Sequence, residues 1–201
     1  PSYNLAQQFP GSGPITIRSI LTHSGGLPRD GNFPYWSAPD FIFPSEKELN
    51  AGMLQQKTVH PASSFFQYSN LGISLLGEVI AHISKMPYEK YVEEKILQPL
   101  RLSSTHPYMD KKSWGNTLAI GYDGIHRDGT RTKMPFFQAN GVTAAAGFSS
   151  NVADLAAFAA WQFRLLKQDG HVSKCASHIK TPDYEIMLTI IGKVLLACLP
   201  D

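Results

Sequence analysis

The stretch from residue 65 to residue 83 constrains the chain more than any other. Its first residues, F-F-Q-Y-S-N, predict a turn that places Tyr68 and Asn70 on the same side of the backbone. Asn70 suits the N-cap position of a following helix. Within that helix, Gly72 and Gly77 predict the close approach of another backbone, since glycine otherwise lowers helix propensity. Apolar residues recur at three- and four-residue steps, which predicts a helix buried on most of its circumference: Leu71, Ile73, Leu75, Leu76, Val79, Ile80 and Ile83.

Tyr68 and Asn70 are open to two interpretations. In the first, Tyr68 is an ordinary core aromatic whose hydroxyl is hydrogen-bonded, and Asn70 only caps the helix. In the second, the two residues are the Tyr-x-Asn element of a catalytic site. The triplet alone does not distinguish these interpretations, because so short a motif also occurs by chance. The flanking sequence favours the second.

Four sequence blocks surround or contain the triplet. They are I-T-I-R-S-I-L-T-H-S-G-G-L-P (15–28), H-P-A-S-S-F-F-Q-Y-S-N-L-G-I-S-L-L-G-E-V-I (60–80), P-Y-E-K-Y-V-E-E-K-I-L-Q-P-L-R-L-S-S-T (87–105) and A-A-A-G-F-S-S-N-V-A-D-L-A-A-F (144–158). In this order, over roughly residues 10 to 166, they resemble the serine hydrolases related to class C β-lactamases, which include carboxylesterases and D-alanyl-D-alanine carboxypeptidases. The resemblance implies an α+β serine β-lactamase/transpeptidase-like fold, an acyl-enzyme mechanism on a small-molecule ester, amide or β-lactam, and no cofactor.

Such enzymes carry Ser-x-x-Lys early, Tyr-x-Asn in the middle, and Lys-Thr-Gly or His-x-Gly on a late strand. By resemblance, Tyr68 is the catalytic base or proton relay, and Asn70 binds the substrate amide and orients the lysine. The block at residues 15–28 follows the nucleophile helix in the family, so the serine motif is expected upstream of residue 1. We therefore expect a fragment truncated at both ends and inactive alone. The alternative is a non-catalytic binding or scaffold module derived from the same fold.

The expected architecture is mostly α: the helical portion of that fold, with a small hairpin and with most of the central sheet missing. Residues 1–166 form the partial domain, and residues 167–201 are a divergent tail of uncertain structure. Within the domain, Pro61-Ala62 stands where the family usually has Pro-Gly, and Arg101 where it more often has Gly. The first departure predicts a turn that forms without glycine's conformational freedom, and the second predicts a different turn at Arg101.

Cap and turn signals set the other elements. Thr16 is a predicted N-cap, and residues 45–48 form a predicted capping box. Asn151 is the predicted cap of a helix that reaches about Leu166 and buries six side chains: Val152, Leu155, Phe158, Ala159, Phe163 and Leu166. A helix over residues 88–97 is predicted to end at Pro99. Asp-Gly at 128–129 predicts a hairpin. The aromatic run over residues 29–43 either covers the core or lines a substrate cleft. His23 is expected to bond helix-end carbonyls or to interact with the helix dipole rather than to catalyse.

The tail contains the only Ser-x-x-Lys of the chain, at Ser177 and Lys180. Serine and lysine one helical turn apart can act as nucleophile and base, but this pair follows the tyrosine motif and lacks an apolar helix around it. Lys180-Thr181-Pro182 does not replace Lys-Thr-Gly, because proline has no amide to donate. Three further tail residues could meet on one helical face but lack a fourth ligand, so no metal site is predicted: His171, Cys175 and His178.

Composition excludes several function classes. A chain of 201 residues with 43% hydrophobic content can bury one core, and its net charge of +2 without basic clusters argues against nucleic-acid binding. The apolar run near the C-terminus is too short to span a membrane and contains Lys193. A body without its sheet would expose apolar surface, which predicts self-association. Localisation stays open; the resemblance is compatible with an extracytoplasmic or periplasmic site.

Overall fold

The computed structural model describes residues 9–37, 40–53 and 55–168 of the chain. The tail residues discussed above, including Ser177 and Lys180, lie outside these ranges. The α-helices of the described residues are α1 (Ile17–Leu21), α2 (Glu46–Met53), α3 (Asn70–Ser84), α4 (Tyr88–Val92), α5 (Gln98–Leu100), α6 (Thr143–Ala146) and α7 (Val152–Gln168). A π-helical turn, Glu93–Leu97, joins α4 to α5, and 3₁₀ turns span Lys111–Ser113 and Asn140–Val142. The described ranges contain isolated β-bridges but no longer strand, so this part of the chain is mostly α.

Helix α3 lies at the centre of the fold and packs against α1, α4 and α6. Its first eight residues are all buried, as the apolar pattern predicted. The prediction was wrong for Ile83, which is 57% exposed near the end of the helix. It was also wrong for the N-cap: Ser69 caps α3, and its hydroxyl accepts the Gly72 N–H at 2.8 Å. Asn70 is the first helical residue, so its side chain is available for contacts outside the helix.

Two hydrophobic clusters share α3. One joins α1, α2, α3 and α6 to the aromatic run after residue 27; the other lies between α3, α4 and α7 and includes Val92, Ile96 and Phe158. In the aromatic run, Tyr35 and Phe43 are 1% and 4% exposed and stack with ring centroids 4.9 Å apart. The core-cover interpretation is therefore confirmed for these two rings.

The two glycines of α3 mark places where neighbouring elements come close. A Cβ on Gly77 would lie 2.6 Å from Ala144 Cβ in α6, and one on Gly72 would lie 3.0 Å from Ile20 Cγ2 in α1. Close approach was predicted correctly, but the approaching atoms belong to side chains rather than to a backbone. These contacts fix how α1 and α6 sit against the helix that follows Tyr68.

The helix after α3 does not end at Pro99, contrary to the sequence prediction. The π-helical turn ends at Leu97, and Pro99 falls in the first turn of α5, where a missing backbone N–H is tolerated. The helix ends at Arg101, whose φ of 59° is left-handed. Arginine thus takes a conformation that glycine usually supplies, at a cost of about 1 kcal/mol.

Helix α7 begins where the caps predicted. The Asn151 side chain accepts the Asp154 N–H at 2.8 Å, and the Asp154 carboxylate accepts the Thr105 hydroxyl at 2.8 Å. The predicted burial was wrong for part of this helix: Val152 and Phe163 are 82% and 71% exposed, and Ala159 is exposed as well. The other described elements pack only on the face that carries Phe158, whereas the sequence pattern cannot tell which apolar face of a helix will be covered.

The predicted hairpin around Asp128-Gly129 is present as a loop with paired arms. An antiparallel bridge joins Tyr122 and Lys133, and the Asp123 N–H donates to the Thr132 carbonyl at 3.0 Å. Gly129 has a φ of 81°, which accounts for glycine at this turn. No helix in the described ranges combines the length and the apolar character that crossing a bilayer requires.

Candidate active site

Residues 23–29, here called the support segment, hold the chain that carries Tyr68. The two stretches run side by side and share a series of backbone hydrogen bonds in place of a regular sheet: Val59 N–H to Gly26 O (2.7 Å), Ser63 N–H to Ser24 O (2.7 Å), Gln67 N–H to His23 O (2.7 Å) and Leu71 N–H to Arg29 O (3.0 Å). The Ser69 hydroxyl also donates to the Pro28 carbonyl at 2.7 Å. The segment around Tyr68 is therefore fixed along its whole length.

Glycine and serine supply the sharp turns of this arrangement. Gly26 has a φ of 72°, and a Cβ there would overlap the His60 carbonyl oxygen, so no other residue fits without movement. The turn at Pro61-Ala62, which lacks the family's glycine, takes its left-handed residue one position later, at Ser63 with a φ of 64°. The approach to Tyr68 thus forms despite the sequence departure.

Tyr68 is half-buried and lies directly before the Ser69 cap of α3. Its ring contacts the ring of His23, with centroids 4.7 Å apart and planes inclined at 37°. Phe66, two residues earlier, is 72% exposed and packs edge-on against the same histidine at 5.7 Å. Tyr68 is therefore not filling in a closed interior; it stands at the edge of the core beside exposed aromatic surface.

His23 makes a side-chain contact that the sequence did not indicate. Its side chain is buried, and Nδ1 accepts the Ser69 N–H at 3.2 Å. An acceptor nitrogen carries no proton, so the neutral ring holds its hydrogen on Nε2. The His23 side chain thus bonds an amide next to Tyr68, while its backbone N–H donates to the Ile20 carbonyl of α1 at 3.0 Å.

Asn70 lies next to Tyr68 in sequence but belongs to a different hydrogen-bond network. It is 4% exposed, and its Nδ2 donates to Asp30 Oδ1 at 2.7 Å. The Tyr35 hydroxyl donates to the same oxygen at 2.8 Å, and Arg29 Nε lies 3.3 Å from Asp30 Oδ2. Burial, and next its hydrogen bond to Asp30, raise the pKa of Tyr35 well above its ordinary value. Because the side-chain amide nitrogen of Asn70 faces Asp30, the side-chain carbonyl oxygen of Asn70 points away from Asp30.

Sequence reasoning missed Asp30 and Tyr35 as members of this network. The signal was the position of Asp30 two residues after the G-G-L-P turn, but nothing in the sequence showed that this turn would meet the start of α3. In the described part of the chain, no group of three or more His, Cys, Asp or Glu side chains is placed to hold a metal ion. The chemistry available around Tyr68 is that of a phenol, an imidazole, an amide and a carboxylate.

Similarity to known proteins covers most of the chain. Relatives include "Beta-lactamase-like protein 2" of Dictyostelium discoideum, 32% identical over 110 residues. They also include a putative D-alanyl-D-alanine carboxypeptidase of Escherichia coli, 28% identical over 165 residues. The matched regions are 55% and 73% of this chain but only 20% and 38% of those proteins. The chain thus spans less than half the length of the relatives it matches.

Solved structures show the same fold. A penicillin-binding protein homologue from Pyrococcus abyssi, described as octameric, superposes with a TM-score of 0.62 at 30% identity, over 77% of this chain and 36% of that one. A class C β-lactamase from Rhodobacter sphaeroides gives 0.53 at 25% identity, over 74% and 39% of the two chains. The sequence profile of the Beta-lactamase family matches residues 2–184. By this match, and by a fold shared with penicillin-binding proteins and class C β-lactamases, the chain belongs to the Beta-lactamase family of serine hydrolases.

Proposed function

We propose that this chain contributes the Tyr-x-Asn part of an acyl-transfer site in a serine hydrolase acting on a small-molecule ester, amide or β-lactam. The observation that carries the proposal is the setting of Tyr68: half-buried, held by hydrogen bonds at both neighbouring residues, and in ring contact with His23. Tyr68 acts as base or proton relay in this proposal.

The chemistry defines what else the site requires. Acyl transfer needs a nucleophile, a group that takes its proton, and donors for the developing oxyanion. A phenol has an unperturbed pKa of about 10, so it accepts a proton near neutral pH only beside a cation or within a concerted relay. The family's cation is the lysine of Ser-x-x-Lys, and residues 1–67 contain no such motif. In this proposal that lysine is the cation that lets Tyr68 accept a proton.

Asn70 takes the second role in the proposal. Its Nδ2 is held by Asp30, so the carbonyl oxygen is the atom that can accept from a substrate amide or from a lysine ammonium. Asp30 thereby sets which end of the Asn70 amide meets the ligand. The carboxylate is itself steadied by Arg29 and by the Tyr35 hydroxyl.

Turnover by the chain alone is the direct test. Without its nucleophile, a serine hydrolase loses on the order of a million-fold in rate, so we expect no measurable hydrolysis. The assay uses nitrocefin, a p-nitrophenyl ester and D-phenylalanine amide, the last because a D-amino acid amidase from Ochrobactrum anthropi, solved with D-phenylalanine, shares the fold. Turnover that Tyr68→Phe abolishes, and that Tyr122→Phe on the exposed hairpin leaves intact, would show a complete site and refute the proposed inactivity.

A nucleophile displaced to the tail gives a different result. Turnover that Ser177→Ala abolishes, with covalent labelling of Ser177 by a fluorophosphonate, would establish that the only Ser-x-x-Lys of the chain is the working one. Conversely, an in-frame Ser-x-x-Lys in the nucleotide sequence upstream of Pro1 would support the proposal that this chain contributes only the Tyr-x-Asn part of the site.

One observation favours a second candidate, a non-catalytic binding or scaffold module. The Asn70 side chain is almost fully buried, and its amide nitrogen is already engaged by Asp30. A retained cleft without chemistry would bind a β-lactam or a D-amino acid amide reversibly. The measurement is thermal stabilisation of the protein by these ligands. Stabilisation that Asp30→Ala abolishes, together with no turnover by the gene's complete product, would favour this candidate over the hydrolase.

A further inference from the structure

His23 contacts the backbone on both sides of Tyr68 and the ring between them. Its carbonyl oxygen accepts the Gln67 N–H at 2.7 Å, and its Nδ1 accepts the Ser69 N–H at 3.2 Å. Its ring lies 4.7 Å from the Tyr68 ring, centroid to centroid. Three separate contacts from one residue thus converge on three consecutive residues of the chain.

The backbone of His23 is itself held in an uncommon conformation. Its φ of 53° is left-handed, a region that residues other than glycine seldom adopt, although histidine does so more often than most. The residue is 6% exposed, so the surrounding structure fixes this conformation. An uncommon backbone angle in a residue that contacts a candidate catalytic residue is a reason to look for a functional role of that residue.

We propose that His23 is the positioning residue for Tyr68. With its hydrogen on Nε2, the neutral imidazole accepts the Ser69 amide, fixes the peptide units on either side of the tyrosine and sets the direction of the phenol. This proposal rests on the proposed function, because it takes Tyr68 as the catalytic phenol that must be positioned. A histidine that only filled space would need neither this tautomer nor an acceptor at the Nδ1 position.

Two substitutions separate the acceptor from the backbone conformation. Asparagine carries its amide oxygen at the same number of bonds from Cα as Nδ1, and both asparagine and glycine tolerate a positive φ. His23→Asn therefore retains an acceptor for the Ser69 N–H, whereas His23→Gly removes it without backbone strain. His60→Asn is the matched control, because His60 lies on the same stretch and packs against Phe65 instead.

Nuclear magnetic resonance on the full chain gives the readouts. The first is hydrogen exchange of the Ser69 amide relative to the Leu71 amide, which donates to the Arg29 carbonyl and needs no side chain of residue 23. One hydrogen bond corresponds to about a fivefold change in exchange, so we expect that increase in His23→Gly and a near wild-type ratio in His23→Asn. The second is the Tyr68 Cζ resonance, which should move in His23→Gly more than in His60→Asn.

The imidazole nitrogen spectrum tests the wild-type protein directly. We expect neutral His23 to show a proton on Nε2 and an unprotonated Nδ1; a proton on Nδ1 overturns the proposal even if the glycine variant does not fold. It is also overturned if His23→Gly leaves the Ser69 exchange ratio unchanged, or if His23→Asn raises that ratio as much as His23→Gly does. None of these measurements requires turnover. Activity that survives Tyr68→Phe would contradict the proposed function of Tyr68, but it would not contradict the positioning of Tyr68 by His23.

Discussion

Replacing Gly77 by alanine should destabilise the protein, although alanine is the better helix former. Gly77 lies in the buried half of α3, where a Cβ would stand 2.6 Å from the Cβ of Ala144 in α6. Carbon atoms in contact prefer a separation of about 3.5–4.0 Å, so the two helices would have to move apart by about 1 Å. This movement would disturb the packing of α6 against the helix that follows Tyr68.

Two opposing effects set the magnitude. The gain in helix propensity from glycine to alanine is about 1 kcal/mol. Forcing an extra methyl group into a packed core costs about 1–3 kcal/mol, and separating two helices belongs at the upper end of that range. We expect Gly77→Ala to lower the free energy of unfolding by about 1–2 kcal/mol. Gly124→Ala, in a loop with no atom within 4 Å of the new Cβ, should leave it unchanged.

A double-mutant cycle with Ala144→Gly identifies the cause. If the two methyl groups collide, removing the second one should recover most of the loss, giving a coupling energy of about 1–3 kcal/mol. Urea unfolding followed by circular dichroism measures all four proteins, with unchanged slopes indicating an unchanged unfolding reaction. A Gly77→Ala protein as stable as the wild type, or effects that simply add, would show that α3 and α6 do not approach as described.

Three further changes test other contacts. Asp30→Ala leaves the Asn70 amide and the buried Tyr35 hydroxyl without their acceptor, so thermal or urea unfolding should show a loss of about 1–3 kcal/mol; Asp30→Asn, which retains an oxygen, should lose less. Ser69→Ala removes the α3 cap and should cost about 0.5–2 kcal/mol, with Ser69→Thr as the tolerated control. Burial raises the pKa of the Glu78 carboxyl, so the folded protein binds its proton more tightly than the unfolded chain. Its contribution is therefore present below the ordinary glutamate pKa and is lost as the pH rises through the folded value. Glu78→Gln should remove that slope from the pH dependence of unfolding, and a slope that persists in the variant would assign it to another group.

Local chemistry was the part of the fold that the sequence could predict. The caps at Thr16, Ser45 and Asn151 each accept the hydrogen bonds expected of them, because a cap is formed by residues three apart and needs no tertiary partner. The periodicity of α3 predicted its burial, because an apolar surface of this width on a helix is stable only when other elements cover it. At its start the local signal was ambiguous: Ser69 and Asn70 are both good caps, and the tertiary bond from Asn70 to Asp30 leaves the capping to Ser69.

Contacts between distant residues account for what the sequence did not predict. Forty residues separate Asp30 from Asn70, and no spacing rule connects a turn with a helix start so far along the chain. Likewise, Phe158 and Phe163 both looked like core residues of α7, but only Phe158 faces another described element. The helix also reaches Pro99 through a π-helical turn, which has no reliable sequence signature.

The support segment explains how a phenol can be placed without a regular sheet. A strand in a sheet is held by a repeating ladder, whereas the stretch before α3 is held by single bonds to residues with unusual backbone angles at His23 and Gly26. Glycine adopts a positive φ without steric cost, whereas the angle at His23 costs energy and persists only because the neighbouring contacts fix it. Ser63 adds a third left-handed position where glycine would cost less. Two of the left-handed non-glycine residues, His23 and Ser63, thus lie among the residues that position Tyr68, which is expected if the place of that hydroxyl matters more than the stability of the loop.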